Sequence, residues 1–389
     1  MLQPALLDST ALQDYLDSSN SFYQDLLGYK PEQTSLQEIS ETQWNEFALS
    51  RRLNPNSHGI YLPRNQTAVI RDENPLSLFH EYFGHGLYCE QSLAGRRLVD
   101  LEKVLLEKEK EEFQGRKFTL EDVQRFRQKN QTFQQLDEFR KQNLAKYELF
   151  AIWTEHLLSG EFGLRNEFKG RYDNFTREER KTVDSVINFN KQYGNLATFY
   201  AFGLKKIQDK KRLLKLSSDI FGRKLERARL ILHFGSGKEF SDIDFFVVSN
   251  DIPSIYDHWI DIRAYKPEDI EKGIRVLNPM ITDPVMIGSL IFGDKDYLGR
   301  LKHRVLTQPI TEKAIDFSFQ EYESEKRRSK DESLGRHLQD KNLRSAKTFL
   351  TNALALKNGH KVLTFNGLVE YSHALSRSEK FIELKGGIE

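Results

Sequence analysis

Apolar residues recur at helical spacing through ALQDYLDSSNSFYQDLLGY near the start of the chain, and the pattern stops near Gly28. Residues 1–50 are therefore read as amphipathic helix. The period changes at HGIYLPRNQTAVIRD (58–72), where two short β-rich runs flank a Pro-Arg-Asn-Gln turn and predict a hairpin. Asn74-Pro75 then opens a helix, with proline in the first turn, where it is tolerated. Residues 99–143 carry charged helices with an apolar stripe. AKYELFAIWTEHLLSGEF (145–162) is far more apolar and predicts a buried helix, and further helices follow over 176–215.

A second change comes after a basic helical stretch at 211–228. RLILHF (229–234), DIDFFVVS (242–249) and YDHWIDIRAY (256–265) read as strands, and KPEDIEKGIRVL as a helix. That alternation is an α/β unit, unlike anything upstream. From about residue 311 the pattern is helical again, through EKAIDFSFQEYESEKRRSKDES and LRSAKTFLTNALAL, and the tail FIELKGGIE reads as loose. The fold class expected is multidomain α+β: a mostly helical domain over 1–208, a small α/β domain over 209–310 and a helical region over 311–389.

Length supports that division, since 389 residues exceed one ordinary core. With 58 basic and 57 acidic side chains, net charge points neither toward nor away from nucleic acid. Cys89 is the single cysteine, so no internal disulfide forms, and a reducing cytoplasm is the expected compartment. The N-terminal stretch has no basic lead and no long apolar run. MITDPVMIGSLIFG, the most apolar late stretch, is interrupted by Asp283 and Pro284, so no membrane partner is expected.

Candidate chemistry concentrates at two places. The first is LFHEYFGHGLYCEQ (78–91), where His80 and His85 bracket Glu81 on an apolar background. Neutral imidazoles with an adjacent carboxylate suit a zinc site with its own general base. The familiar helical spacing is His-Glu-x-x-His, whereas here three residues separate Glu81 from His85. Five residues rotate an ideal helix by about 140°, against about 40° for four. The two histidines can share one metal only if the helix is widened by an extra residue, which Gly84 would ease; otherwise they simply pack in the helix.

HEYFGH resembles the His-Glu-x-x-Gly-His zinc motif of the dipeptidyl-peptidase III family. GLYCEQSLAG is similar, with small insertions, to the Gly-His-(small)-Leu-Tyr-Glu-Gln run of the Taq-type thermostable metallocarboxypeptidases. The resemblance covers about residues 58–160 and implies a zinc peptidase acting on a peptide or protein. It implies His80, His85 and Glu148 as ligands and Glu81 as general base. Glu155 competes with Glu148 for the third position, or orients a ligand histidine from behind. Tyr147 stands where the dipeptidyl-peptidase motif has its first acidic residue, which leaves substrate choice open. Tyr193, Tyr200 and His156 are candidate transition-state donors, and the hairpin offers an edge to an extended peptide. His58 reads as a loop residue and Cys89 as a packed thiol.

The second place is LHFGSGKEFSDIDFFVV (232–248). Asp242 and Asp244, two apart on a strand, face the same way and converge on one ion. Asp261 in the next strand can complete a two-metal site and draw a proton from an attacking hydroxyl, while Gly235 and Ser236 form a tight turn that can grip phosphate. FGS…SDIDFF…WIDIRA resembles the polymerase-β-type minimal nucleotidyltransferases over about 212–309. That implies Mg²⁺, a nucleoside triphosphate and an acceptor that is a protein, a transfer RNA or a small molecule. The loop from Ser236 to Asp242 is several residues shorter than in that family. The joint expectation is a bifunctional chain, with two alternatives: a transferase whose zinc domain is structural or peptide-binding, or a peptidase regulated by nucleotide.

Overall fold

A computed structural model of the chain describes residues 10–51, 53–115, 117–204, 210–234, 243–256 and 260–376. The chain forms two compact units, Met1–Gln208 and Asp209–Glu389.

The first unit opens with helix α1 (Thr10–Leu27), strand β1 (Ser35–Ile39) and α2 (Glu41–Arg51). Strands β2 (Gly59–Leu62) and β3 (Thr67–Arg71) follow, joined by a 3₁₀ turn at Pro63–Asn65. β2 and β3 are the antiparallel hairpin that the turn residues predict. β1 lies parallel to β3, giving the order β1-β3-β2. This corrects the helical reading of the first fifty residues. SLQEI has no buried residue, so no one-sided apolar pattern marks it as a strand, and backbone pairing with Thr67–Arg71 decides its conformation.

A short turn, α3 (Pro75–Ser77), is capped by the Asn74 side chain, which accepts from Ser77 N–H. It leads into a π-helix over Leu78–Gly86, every residue of which is buried. Then come α4 (Leu87–Gln91), α5 (Leu93–Phe113), α6 (Leu120–Lys129), α7 (Gln131–Glu161), α8 (Arg165–Tyr172) and α9 (Arg177–Ala201). Ser92 stops α4 and caps α5, and capping boxes at Thr119/Asp122 and Thr176/Glu179 start α6 and α9. α7 runs unbroken from the polar stretch into the apolar one, because no glycine or proline intervenes before Gly160. The core is aromatic: Tyr23 stacks on Phe83 at 5.3 Å, and Trp153 meets Phe199 edge-on at 4.7 Å.

The second unit contains α10 (Lys210–Phe221), a 3₁₀ turn (Gly222–Arg227), β4 (Leu230–Phe234), β5 (Ile243–Val248), β6 (Ile255–Tyr256), β7 (Ile260–Tyr265), α11 (Pro267–Arg275), α12 (Pro279–Ile287), β8 (Ser289–Gly293) and α13 (Lys295–Thr307). The sheet order is β6-β7-β5-β4-β8, with β5 and β7 parallel and the other pairs antiparallel. β8 is not evident in the sequence, where α12 and β8 merge into one apolar run. Gly288 separates them: a Cβ there would stand 2.4 Å from the Pro284 carbonyl oxygen. Leu232, Phe246 and Val248 pack with Ile270, Ile281 and Leu301 into one core.

The helices α14 (Glu312–Arg328), α15 (Arg336–Lys357) and α16 (Phe365–Ser376) share that unit's interior. Leu277 clusters with Ala314 and Leu356, and the Asn352 amide donates to the Leu277 carbonyl and to Ser318 Oγ. Among the described residues, no helix is long and apolar enough to cross a membrane.

Candidate metal centre

The π-helix answers the spacing problem at His80 and His85. Its hydrogen bonds close over five residues instead of four, so residues five apart come onto one face. The widening expected from the sequence is present, and it extends over nine residues. Three glycines let neighbouring elements close on this helix. A Cβ on Gly84 would lie 2.7 Å from the Cα of Ala151 on α7, and one on Gly86 would lie 2.8 Å from Thr34 Oγ1. A Cβ on Gly59 of β2 would lie 2.8 Å from Cγ of Glu81. Glycine at these positions is a matter of close approach, since none of the three has positive φ.

The Gly84–Ala151 contact brings α7 close enough for Glu148, one turn earlier, to reach both histidines. Glu148 Oε2 stands 3.7 Å from His80 Nε2 and 3.6 Å from His85 Nε2. These three atoms all lie within 4.8 Å of one another. Ligands at about 2.0–2.2 Å around a tetrahedral ion are separated by roughly 3.4 Å, close to the 3.6 and 3.7 Å from Glu148 to the two imidazoles. The imidazoles stand edge to face, with ring centres 4.8 Å apart. Glu81 Oε2 lies 4.0 Å from His85 Nε2, on the same side.

Glu155 has a different place. Its side chain is fully buried, and Oε2 accepts from the opposite nitrogen of His80, Nδ1, at 3.0 Å. The same oxygen accepts from Arg171 Nη1 of α8 at 2.8 Å. Glu155 thus turns His80 so that Nε2 faces Glu148, and Arg171 holds the Glu155 carboxylate in place from the other side. Nothing in the sequence marks Arg171, because its partner lies across the α7–α8 turn. Tyr147 stacks on His85 at 3.9 Å and fixes that ring by contact. His85 Nδ1 is buried with no hydrogen-bond partner among the described residues.

The charges of these four side chains depend on one another. Burial pulls the His80 pKa down, but the nearby Glu148 carboxylate and the hydrogen bond to Glu155 outweigh it and hold it at about 9. Burial pushes His85 down to about 3. For Glu148, burial works upward, but the nearby histidines, His80 first, draw it to about 2. Burial pushes Glu81 up to about 7. The set therefore holds one positive charge between two carboxylates and a neutral second imidazole. Both the charges and the donor types suit a divalent ion of zinc's kind.

The centre opens into a cavity of about 480 Å³. Tyr61, Leu98, Phe139 and Leu144 line its apolar part, and Arg140 and Asn143 its polar part. β2, the edge of its sheet, borders the cavity through Gly59, Ile60 and Tyr61. Tyr193, Tyr200 and His156 do not line it. His156 faces a separate hollow with Phe168 and Lys191. Cys89 is buried, and burial pushes its thiol pKa up, as suits a packed residue.

In the second unit Asp242, Gly235 and Ser236 lie outside the described residues. Asp244 and Asp261 are partners in register on the parallel strands β5 and β7, so they share a face of the sheet. Asp261 is 1% exposed. Its Oδ2 accepts from Arg263 Nη2 at 3.1 Å and from Lys341 Nζ of α15 at 2.8 Å. Compared with family models, curated proteins and solved structures, the chain matches none.

Proposed function

We propose that the first unit is a zinc-dependent hydrolase of peptide bonds, with His80, His85 and Glu148 holding the ion and Glu81 as the general base. The observation that carries this reading is the convergence of three ligand-type atoms beside a buried carboxylate at the floor of a cavity. Bound there, zinc would supply a Lewis acid that polarises a carbonyl and acidifies a water. Glu81, buried beside the ligand set with Oε2 4.0 Å from His85 Nε2, is placed to accept a proton and return it to a leaving amine. Glu155, braced by Arg171, takes the Nδ1 side of His80, so that Nε2 is the nitrogen that would face the ion. The position of β2 at the edge of its sheet and beside the cavity supports an extended chain as substrate, because an edge strand can pair with one through its backbone.

The test is metal content by mass spectrometry on the purified full chain, wild type beside Glu148→Gln, followed by cleavage of a peptide library. About one zinc per chain in the wild type, lost or much weakened in the variant, is the expected result. Absence of zinc from both would leave the histidines as packing residues.

A second reading covers the other unit, and the in-register Asp244–Asp261 pair favours it. It is a Mg²⁺-dependent nucleotidyltransferase, joining a nucleoside monophosphate from its triphosphate to an acceptor hydroxyl. Asp242 would join the metal ligands, Gly235 and Ser236 would hold phosphate, and Asp261 would receive the hydroxyl proton. Loss of pyrophosphate release in Asp244→Asn is the outcome expected; nucleotide binding without release in the wild type would favour a regulatory site instead.

A further inference from the structure

The charge balance around Asp261 goes beyond a metal site waiting for its ion. Asp244 and Asp261 sit on strands roughly 4.8 Å apart, facing one way. Among the described residues, Asp261 has two cationic partners. Arg263 is on the same strand as Asp261 and is firmly held. Its guanidinium lies over the Phe234 ring at 5.2 Å, and Nη1 donates to Met280 Sδ at 3.2 Å. Lys341 comes from α15, eighty residues further along the chain. Its ammonium lies over Tyr256 at 5.0 Å, and its side chain is one-fifth exposed.

Both basic groups act on Oδ2. Asp261 Oδ1 is buried and has no hydrogen-bond partner among the described residues. A buried carboxylate oxygen without a donor is costly, and such atoms mark places where a ligand completes the site. Asp261 already carries a guanidinium and an ammonium on one oxygen, so a divalent ion bound to the same carboxylate would stand beside two fixed positive charges in a buried place. Removing one of those cations lessens the repulsion, and lysine is the one able to leave. It is a compact charge on a flexible stem with a path to solvent, whereas Arg263 is locked by its fork and by Phe234.

We propose that Lys341 occupies the cation position of the Asp244–Asp261 pair, and that a divalent cation binds there by displacing the ammonium. The inference concerns the site of the transferase reading but needs none of its chemistry: the exchange of one cation for another stands whether or not a nucleotide is transferred. The displaced ammonium stays within one side-chain length, where a phosphate carried by the cation would meet it. The helical region is then part of the site, and its residue 341 senses whether the site is filled.

The experiment uses the full chain with Mn²⁺ as probe, followed by electron paramagnetic resonance. Lys341→Met is expected to bind one Mn²⁺ about tenfold or more tighter than wild type, the scale of a lost charge-assisted contact. Asp244→Asn added to it should abolish that gain, which separates it from any Mn²⁺ taken up by the first unit. If Lys341→Met binds Mn²⁺ no tighter than wild type, the lysine is an ordinary ion-pair partner and the proposal fails. A second measurement covers a variant that does not fold: acylation of Lys341 by an amine-reactive reagent, read by mass spectrometry on the wild type. Mn²⁺ should raise labelling of Lys341 in wild type and not in Asp244→Asn; unchanged labelling in wild type overturns the proposal. Pyrophosphate release, assayed separately, reports on the transferase reading alone.

Discussion

Gly84→Ala tests whether helix contact builds the metal centre. The new Cβ would meet Ala151 Cα at 2.7 Å and Ala151 Cβ at 2.8 Å, and neither is the end of a flexible chain. Restoring ordinary contact would open the π-helix from α7 by about 0.7 Å, beyond the roughly 0.5 Å within which a binding constellation must be held. Glu148 rides on α7 one turn away, so its oxygen would leave the 3.6 and 3.7 Å positions beside the two Nε2 atoms. Two effects oppose each other in stability. Alanine favours helix over glycine by about 0.5–1 kcal/mol, whereas overpacking costs about 1–3 kcal/mol. The steric effect wins, because the obstacle is backbone, and the first unit should lose about 1–2 kcal/mol, or about 2–8 °C in Tm.

Calorimetry of the full chain, with zinc affinity measured alongside, checks this. Gly170→Ala is the control, since nothing lies within 4 Å of a Cβ at that helical position. It should raise Tm slightly and leave zinc binding alone, while Gly84→Ala lowers both Tm and affinity, the latter about tenfold or more. If the two variants behave alike, or if Gly84→Ala binds zinc as wild type does, close helix approach is not what positions Glu148.

Two other predictions concern different parts of the chain. Arg171→Ala leaves Glu155 buried without its cation and loosens His80, so zinc affinity should fall about 10–100-fold; titration with a zinc chelator measures this, and wild-type affinity would show that Glu155 needs no partner. Asp283 of α12 is buried, and burial pushes its pKa up from 3.8 to about 6, although the Phe365 N–H works the other way. Because the folded state holds this proton more tightly than the unfolded chain, stability falls as pH rises from about 4 to about 6, and the loss persists above. The second unit should lose up to about 3 kcal/mol across that window. Denaturant unfolding of Asp283→Asn should show a flatter profile there; an unchanged pH dependence would assign it to other groups.

Much of the architecture was legible from local pattern. The hairpin at 59–71, the start of the helix at Asn74-Pro75 and the change to α/β periodicity near residue 229 each rest on interactions within a few residues, and local rules read them. β1 and β8 were not legible, for opposite reasons. Ser35–Ile39 lacks an apolar face, and Ser289–Gly293 is hidden in a longer apolar run; each becomes a strand only because a partner strand takes up its hydrogen bonds.

The candidate sites divide in the same way. The sequence by itself determined which atoms could act: two imidazoles and a carboxylate within six residues, two further glutamates on a downstream helix, and three aspartates on strand-like runs. Tertiary structure decided where they stand. Glu148 and Glu155 are seven residues apart on one helix, and no local rule says which of them faces both Nε2 atoms and which takes the Nδ1 side of His80. Their distinction comes from where α7 crosses the π-helix at Gly84 and from Arg171 reaching Glu155. Likewise, the sequence placed Asp261 beside Asp244, but only the packing of α15 brought Lys341 onto it. Local conformation depends on neighbours in the chain, whereas the charge and orientation of a buried group depend on whatever side chain the fold brings within about 4 Å.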